Sequence, residues 1–465
     1  MPTTGTVLAT DLYQLTMAAG YHHRGFGESI ATCELFVRRL PTTRRYLVAL
    51  GIDQIASWIV DLRFTPEDVA FLKTLPALAG AMTPDLERLL LDFRFTGDVS
   101  AVEEGTLVFE NEPLLRVRAP IIQAQLLETY ALSTINHATM IGSKAARIVQ
   151  AAAGRAVVEF GTRRTHPDAA IDAARAAYAC GFSGTSNVEA ARRFGIPVLG
   201  TAAHMWTMAH ASEEEAFRGY FQVFPENSLL LIDTYDTSRG ASRAIAVARD
   251  KLVGVRIDSG DLDALSRIVR RILDAEGAPQ AKIVVSGDLH EHTIAALVAA
   301  GAPIDTFGVG TELVCSADAP SLGGVYKIVE LEDANGKRPV AKFSEGKGTF
   351  PGPHQILRIT DDAGAMQRDI VALEDEAPLP LAAGERSVAL LSPIIAAGRR
   401  VRSASPLADV RARVTRGRDA LPPILRDLAP RSPEGPRYSV TPSTRLRSLT
   451  EEVRKRFLEE GGQGS

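Results

Sequence analysis

The feature that most constrains this chain begins near residue 125, where short apolar runs alternate with helix-forming stretches about eight times. Gln125–Ala151 keeps helical spacing throughout. The runs that follow are Ala156–Phe160, Ala179–Phe182, Ile196–Leu199, Leu229–Ile232, Leu252–Ile257, Lys282–Val285, Asp305–Val309 and Val325–Glu330. Continuous apolar runs separated by helices are the pattern of parallel strands buried on both faces. About eight such βα units closing on themselves form an α/β barrel, and a barrel carries its chemistry at the C-terminal ends of its strands.

Those ends hold the polar residues. GTRRTH follows the first run, SGTSN the second, GTAAH the third and DTYDT the fourth; the fifth runs into RIDSGD, the sixth into SGD and the seventh into GVGT. The approaches to the same strands show no such concentration. Turn chemistry explains glycine and serine in βα loops. It does not explain arginine and aspartate recurring at the same depth.

The flanking chain reads differently. Residues 1–124 form an α+β module. In it Leu12, Leu15 and Ala19 sit at helical spacing behind Asp11, a good N-cap, and Ile30–Phe36, Thr106–Phe109 and Leu114–Val117 are strand candidates. The barrel segment is taken as 125–331 and a C-terminal segment as 332–465. Within the latter, 332–365 is turn-rich and basic, 372–403 suggests further strands, 404–436 is rich in Pro, Arg and Asp and is expected to wrap the surface, and Leu446–Leu458 is amphipathic.

Composition excludes some classes. A net charge of −4 gives no global basic field, which argues against a nucleic-acid binder. Cys33, Cys180 and Cys315 are odd in number and far apart, which argues against a disulfide framework or a zinc cluster and for a reducing compartment. The first residues lack a basic stretch followed by an apolar one, so no signal peptide is expected. Apolar runs such as Ile294–Ala300 are far short of the ~20 residues that span a membrane.

Several strand ends suggest specific chemistry. Ser286-Gly287-Asp288 and Gly308-Val309-Gly310-Thr311 each precede a helix start, where backbone N–H groups can cradle a phosphate. Asp233 and Asp258 could hold Mg²⁺, contact a ribose, or cap the next helix; Asp236 and Asp261 are better placed as caps. Arg163, Arg164 and Arg256 suit an anionic ligand, or ion pairs with Glu159, Asp258 and Asp261. His204 could act as a general base, exchange hydrogen bonds with a phosphate, or be a satisfied polar residue. His210, His290 and His292 are weaker candidates.

Nine stretches, in order and in register, carry a resemblance: ATDLYQ (Ala9–Gln14), ELFVRRLP (Glu34–Pro41), EFGTRR (Glu159–Arg164), GFSGTSN (Gly181–Asn187), GTAAH (Gly200–His204), IDTYDT (Ile232–Thr237), RIDSGDL (Arg256–Leu262), FGVGTEL (Phe307–Leu313) and KFSEGKGTFPGPHQ (Lys342–Gln355). Through them the chain resembles nicotinate phosphoribosyltransferases over nearly its whole length. The resemblance implies an irregular, TIM-like α/β barrel with an N-terminal α/β sandwich-like domain completed by C-terminal chain. It implies a cytoplasmic homodimer with shared active sites. The reaction it implies joins nicotinate to phosphoribosyl pyrophosphate, coupled to ATP with Mg²⁺, as the first step of NAD salvage from nicotinate.

The same resemblance assigns roles. His204 corresponds to the histidine that ATP phosphorylates. Phe160 stacks on one face of the pyridine ring and Tyr13 of the neighbouring subunit on the other. Arg163 and Arg256 lie near the ring substituent and the phosphoribosyl group, and Asp233 and Asp258 near ribose and metal. The loops Ser286-Gly287-Asp288 and Gly308 to Thr311 (Gly308, Gly310, Thr311) cradle the 5′-phosphate. Lys342 and Lys347 reach a phosphate of the partner subunit. Ser186 stands where the related nicotinamide enzyme has an aspartate; a hydroxyl can donate to the nicotinate carboxylate, whereas a carboxylate would repel it. Met205 and His166 depart from residues common in the family. The competing readings are a nicotinamide or quinolinate phosphoribosyltransferase and a non-catalytic metabolite-binding barrel.

Overall fold

The computed structural model describes residues 7–432 and 435–461. The chain divides into two compact units, one built from the chain up to Thr139 together with the chain from Ser321 onward, the other from Met140–Pro320. The sequence had suggested divisions at 124/125 and 331/332.

The unit Met140–Pro320 contains the βα repeats. Its parallel strands are β1 (Ala156–Glu159), β2 (Gly184–Thr185), β3 (Leu229–Leu231), β4 (Gly254–Ile257), β5 (Lys282–Val285) and β6 (Thr306–Val309). They lie in the order β2-β1-β6-β5-β4-β3. One parallel bridge, Thr185 to Val198, is all that the run Ile196–Leu199 contributes. The result is an open, irregular half-barrel with six strands in place of about eight.

Two of the expected strands lie elsewhere. Ala179 ends the helix Pro167–Ala179, and Cys180–Phe182 form its exit, with Gly181 at φ +117°. The alanines at 170, 173, 174 and 177 form a buried helical stripe, and alanine favours helix above all other residues. A short apolar run alone does not separate a strand from the end of such a helix. The second, Val325–Glu330, belongs to the strand Gly324–Asp333 of the other unit, where it pairs antiparallel with Ile30–Val37.

Helices follow β3, β4 and β5. Asp236 caps Thr237–Ala248 by accepting from the Arg239 N–H, and Asp261 caps Leu262–Ala275 by accepting from Ala264 N–H. Both N-termini are thereby satisfied by these two residues, which leaves Asp233 and Asp258 for other work.

A buried ion-pair network braces this unit. Lys144 Nζ lies 2.6 Å from Glu291 Oε2 and 2.9 Å from Asp318 Oδ1, and Arg147 Nε lies 3.0 Å from Glu291 Oε1. The Lys144 and Glu291 side chains are 2% and 0% exposed. Burial pushes the Glu291 carboxyl upward, but Lys144 and Arg147 outweigh it and hold the group below its ordinary range. Removing one partner of such a pair strands a buried charge. Lys144→Met is therefore expected to cost about 3–5 kcal/mol of stability, read as a lower midpoint of urea denaturation; an unchanged midpoint would show that the network contributes nothing net.

The other unit is an α/β assembly of two main sheets. The larger runs Gly336–Pro339, Gly324–Asp333, Ile30–Val37, Pro113–Pro120, Asp98–Ala101, Ser392–Ala396, Arg399–Arg400. The smaller runs Glu385–Ala389, His354–Asp361, Met366–Leu373, Val440–Pro442. N-terminal and C-terminal chain therefore share the larger sheet and one core, in which Leu35, Leu115 and Ile356 are fully buried; the smaller sheet is C-terminal chain alone. Tyr438 helps to hold the returning chain: its hydroxyl donates to Asp369 at 2.9 Å and its ring stacks on Phe109 with centroids 3.9 Å apart. Residues 404–436 do more than wrap a surface. They include the helix Leu407–Ala420, whose Val410 and Val414 are buried. That two-residue stripe, one helical turn apart, is easily missed among the surrounding arginines.

Candidate active site

Several polar residues at the strand ends of Met140–Pro320 form one connected set. Arg256, inside β4, is its hub. Its Nε donates to Ser286 Oγ at 2.8 Å, one terminal nitrogen donates to Thr201 Oγ1 at 2.9 Å and the other to Asp258 Oδ1 at 2.6 Å. The guanidinium carbon lies 5.3 Å from the centroid of the Phe160 ring, within cation–π range. Ser286 Oγ also donates to Asp258 Oδ1. Three strand ends, those of β1, β4 and β5, and the loop that carries Thr201 are thus joined through one side chain.

Asp258 is partly buried, and burial alone would raise its pKa. The Ser286 hydroxyl and the adjacent Arg256 charge more than offset that, so its carboxyl stays below the ordinary range. It is an anion at neutral pH. Asp233 has a side chain only 2% exposed. Its Oδ2 accepts from the Asp258 backbone N–H at 2.9 Å and from Ser259 Oγ at 2.8 Å, while Oδ1 is buried without a hydrogen-bond partner.

His204 opens the short helix His204–Met208. Its Nδ1 is 3.1 Å from Thr234 Oγ1, and its Nε2 is 3.9 Å from both Asp233 Oδ1 and Asp258 Oδ2. Nδ1 is therefore engaged, and Nε2 faces two carboxylates. The unpartnered Asp233 oxygen with Asp258 beside it suits a divalent cation. Mg²⁺ needs only one or two protein carboxylates when phosphates and waters supply its remaining ligands.

Two glycines have steric duties here. At Gly308, in β6, a Cβ would come within 2.5 Å of two carbons of the Phe160 ring; its bare backbone is what leaves room for the ring there. Gly287 has φ +100°, and a Cβ there would collide with the Asp258 carbonyl. Asp288 follows at φ +47°, so the loop after β5 turns sharply and exposes both residues. Gly310 precedes Thr311, the first residue of a short helical turn after β6.

Phe160, His204, Asp233, Arg256, Asp258 and Ser286 are thus brought together. Ser186 sits at the end of β2, half-buried, with its N–H donating to the Glu159 carbonyl at 2.9 Å. Arg163 lies on the turn Thr162–Arg164 and is exposed; the expected pairing of an arginine with Glu159 is not formed, and Glu159 bonds to Thr185 and Gly161 instead. The expected pairing with Asp258 is made by Arg256. Met205 and His166 are exposed and outside the connected set. Tyr13, Lys342 and Lys347 belong to the other unit and are exposed there: Tyr13 on the helix Leu12–His23, the lysines on the loop between Gly336–Pro339 and His354–Asp361.

Thr201, Thr234 and Ser259 were not singled out from sequence, although each lies inside a strand-end motif. Their signal was the repetition of hydroxyl residues beside each Asp, Arg or His.

Comparison with known proteins gives a consistent result. A family model for the nicotinate phosphoribosyltransferase N-terminal domain matches residues 8–136, and one for the nicotinate phosphoribosyltransferase family matches 156–349. The chain is 43% identical to nicotinate phosphoribosyltransferase pncB2 of Mycobacterium tuberculosis, over 94% of this chain and 92% of that one. It is 42% identical to the nicotinate phosphoribosyltransferase of Bacillus subtilis, over 79% and 76%. Among solved structures, human nicotinic acid phosphoribosyltransferase superposes with a TM-score of 0.83 at 28% identity, covering 96% of this chain and 99% of that one. The nicotinate-nucleotide pyrophosphorylase of Pyrococcus furiosus gives 0.72 at 25% identity, covering 89% and 95%.

Proposed function

The chain belongs to the nicotinate phosphoribosyltransferase family; it is an enzyme that joins nicotinate to phosphoribosyl pyrophosphate, and we propose that it does so at the strand ends gathered around Arg256. The observation that supports this reading most is the single contiguous set of Phe160, Arg256, Ser286, Asp258 and Asp233, with His204 Nε2 3.9 Å from both carboxylates. It offers an aromatic face, a guanidinium, two carboxylates and a histidine within one cluster.

In the proposed arrangement the pyridine ring stacks on Phe160, and its carboxylate meets Ser186 and the arginines Arg163 and Arg256. The loops Ser286–Asp288 and Gly308–Thr311 receive the 5′-phosphate. The ring nitrogen attacks the anomeric carbon as pyrophosphate departs, and the sugar passes through an oxocarbenium-like state. Little proton transfer is needed, so holding the reactants in line and stabilising charge supply most of the acceleration. Asp233 and Asp258 are suited to the cationic sugar and to magnesium. Bound there, magnesium supplies charge neutralisation for the leaving pyrophosphate.

ATP coupling is assigned to His204. With Nδ1 engaged by Thr234, Nε2 is the nitrogen free to take a phosphoryl group. That would add charge beside Asp233 and Asp258 and reshape the site. A homodimer completes the proposal, with Tyr13 of the partner subunit covering the ring's second face and the partner's Lys342 and Lys347 near a phosphate. A cytoplasmic setting fits three cysteines that form no disulfide; among the described residues no helix is long and apolar enough to cross a membrane.

The test is direct. Given phosphoribosyl pyrophosphate, Mg²⁺ and ATP, the purified protein should convert nicotinate, and not nicotinamide or quinolinate, to its mononucleotide. Preference for either rival would overturn the substrate assignment. Ser186→Asp should weaken nicotinate by about tenfold or more, the scale of one lost charge-assisted hydrogen bond, and nicotinamide much less. Equal losses for the two would remove Ser186 from substrate choice.

A further inference from the structure

We infer that Glu159, which has no role in the mechanism above, is a positioning residue for nicotinate: its buried carboxylate fastens together the two strand ends that carry Phe160 and Ser186. The inference rests on the reading of those two residues as the pyridine site.

Glu159 is the last residue of β1 and is 1% exposed. A carboxyl group there is costly unless its oxygens are satisfied, and burial pushes its pKa up against the hydrogen bonds it accepts. Both oxygens are used. Oε2 accepts from the Thr185 hydroxyl at 2.5 Å, across the parallel register that sets Glu159 opposite Thr185. Oε1 accepts from the backbone N–H of Gly161, the residue just after Phe160. The Glu159 carbonyl accepts from the Ser186 N–H at 2.9 Å. Thr185 Oγ1 in turn accepts from Asn187 N–H at 2.9 Å, and Asn187 Oδ1 caps the next helix through Ala190 N–H at 2.9 Å. One side chain thus fixes where the backbone leaves β1 after Phe160 and, through Thr185, where it leaves β2 before Ser186. An apolar residue would fill the same space and accept neither bond. Arg163 and Arg164 are exposed, and among the described residues no guanidinium pairs with Glu159. Its two acceptor oxygens are therefore what distinguish it from a hydrophobic plug.

Glu159→Ala, Glu159→Gln, Thr185→Val and, as a control, Phe160→Ala are compared by steady-state kinetics in each substrate and by urea denaturation. A positioning role predicts that Glu159→Ala raises KM for nicotinate about tenfold or more, the equivalent of about 1.4 kcal/mol of lost binding. KM for phosphoribosyl pyrophosphate should change less than about twofold. Glu159→Gln, which keeps one carbonyl acceptor, should recover most of the loss, and Thr185→Val should reproduce part of it. Should Glu159→Ala not fold, the Gln and Thr185→Val variants carry the same comparison. A purely structural role predicts a lower urea midpoint with both KM values little changed or raised alike; that result overturns the inference. If Phe160→Ala itself leaves KM for nicotinate unchanged, the underlying assignment of the pyridine site fails. If Phe160→Ala raises it and the Glu159 variants do not, only the role of Glu159 fails.

Discussion

Replacing Arg256 by methionine is expected to lower kcat/KM for nicotinate by about 10²–10³-fold, the scale seen when one preorganised donor is removed from a site that stabilises charge. The reason lies in its connectivity. Arg256 contacts Phe160, Thr201, Ser286 and Asp258, so one substitution loosens three strand ends and the Thr201 loop and leaves Asp258 without its cation. Methionine keeps much of the length and apolar bulk of the stem, which separates lost charge from lost volume. A pH effect accompanies the loss. Burial raises the Asp258 pKa and is at present outweighed by Ser286 and Arg256. Without the guanidinium the balance shifts upward, so the acid limb of the kcat/KM profile should move to higher pH: activity that depends on ionised Asp258 is present above that group's pKa and lost below it. Initial rates across pH measure both. A variant within threefold of the parent, with its acid limb unmoved, would remove Arg256 from the site.

His204→Ala is expected to abolish nicotinate-stimulated ATP hydrolysis and with it the whole of the ATP-dependent gain in product. The histidine presents Nε2 to two carboxylates at 3.9 Å while Thr234 holds Nδ1. No neighbour in that set offers an equivalent nucleophilic nitrogen: the aspartates and hydroxyls around it are oxygen ligands, and Arg256 is a permanent cation. Measuring ADP and nicotinate mononucleotide together, with and without ATP, distinguishes coupling from transfer. Unchanged ATP stimulation in the variant would exclude His204 as the phosphorylated residue.

Much of the catalytic unit was legible in the sequence because buried parallel strands and their polar ends obey simple local rules. Asp236 and Asp261 read as the better caps from position, and they are where helix starts demand them; that Asp233 and Asp258 are not caps became plain only from the structure. Three features were not legible, for physical reasons. Ala179–Phe182 read as a strand because a short run rich in alanine and apolar residues carries no period of its own. Val325–Glu330 is as apolar as the true barrel strands, and only pairing with Ile30–Val37, about 300 residues earlier in the chain, shows that it belongs to another sheet. Glu159 looked like a partner for arginine, since charge suggests charge, whereas its oxygens went to Thr185 and Gly161. Partner choice of that kind depends on register between strands, which residue spacing does not reveal.

The whole account depends on where substrate sits, and a crystal structure of the protein with nicotinate mononucleotide and magnesium pyrophosphate would measure it. The expected result is a pyridine ring stacked on Phe160, its carboxylate at Ser186 and the arginines, its 5′-phosphate against the loops Ser286–Asp288 and Gly308–Thr311, and metal beside Asp233 and Asp258. A nucleotide bound elsewhere, with the Arg256 cluster left facing water, would contradict it.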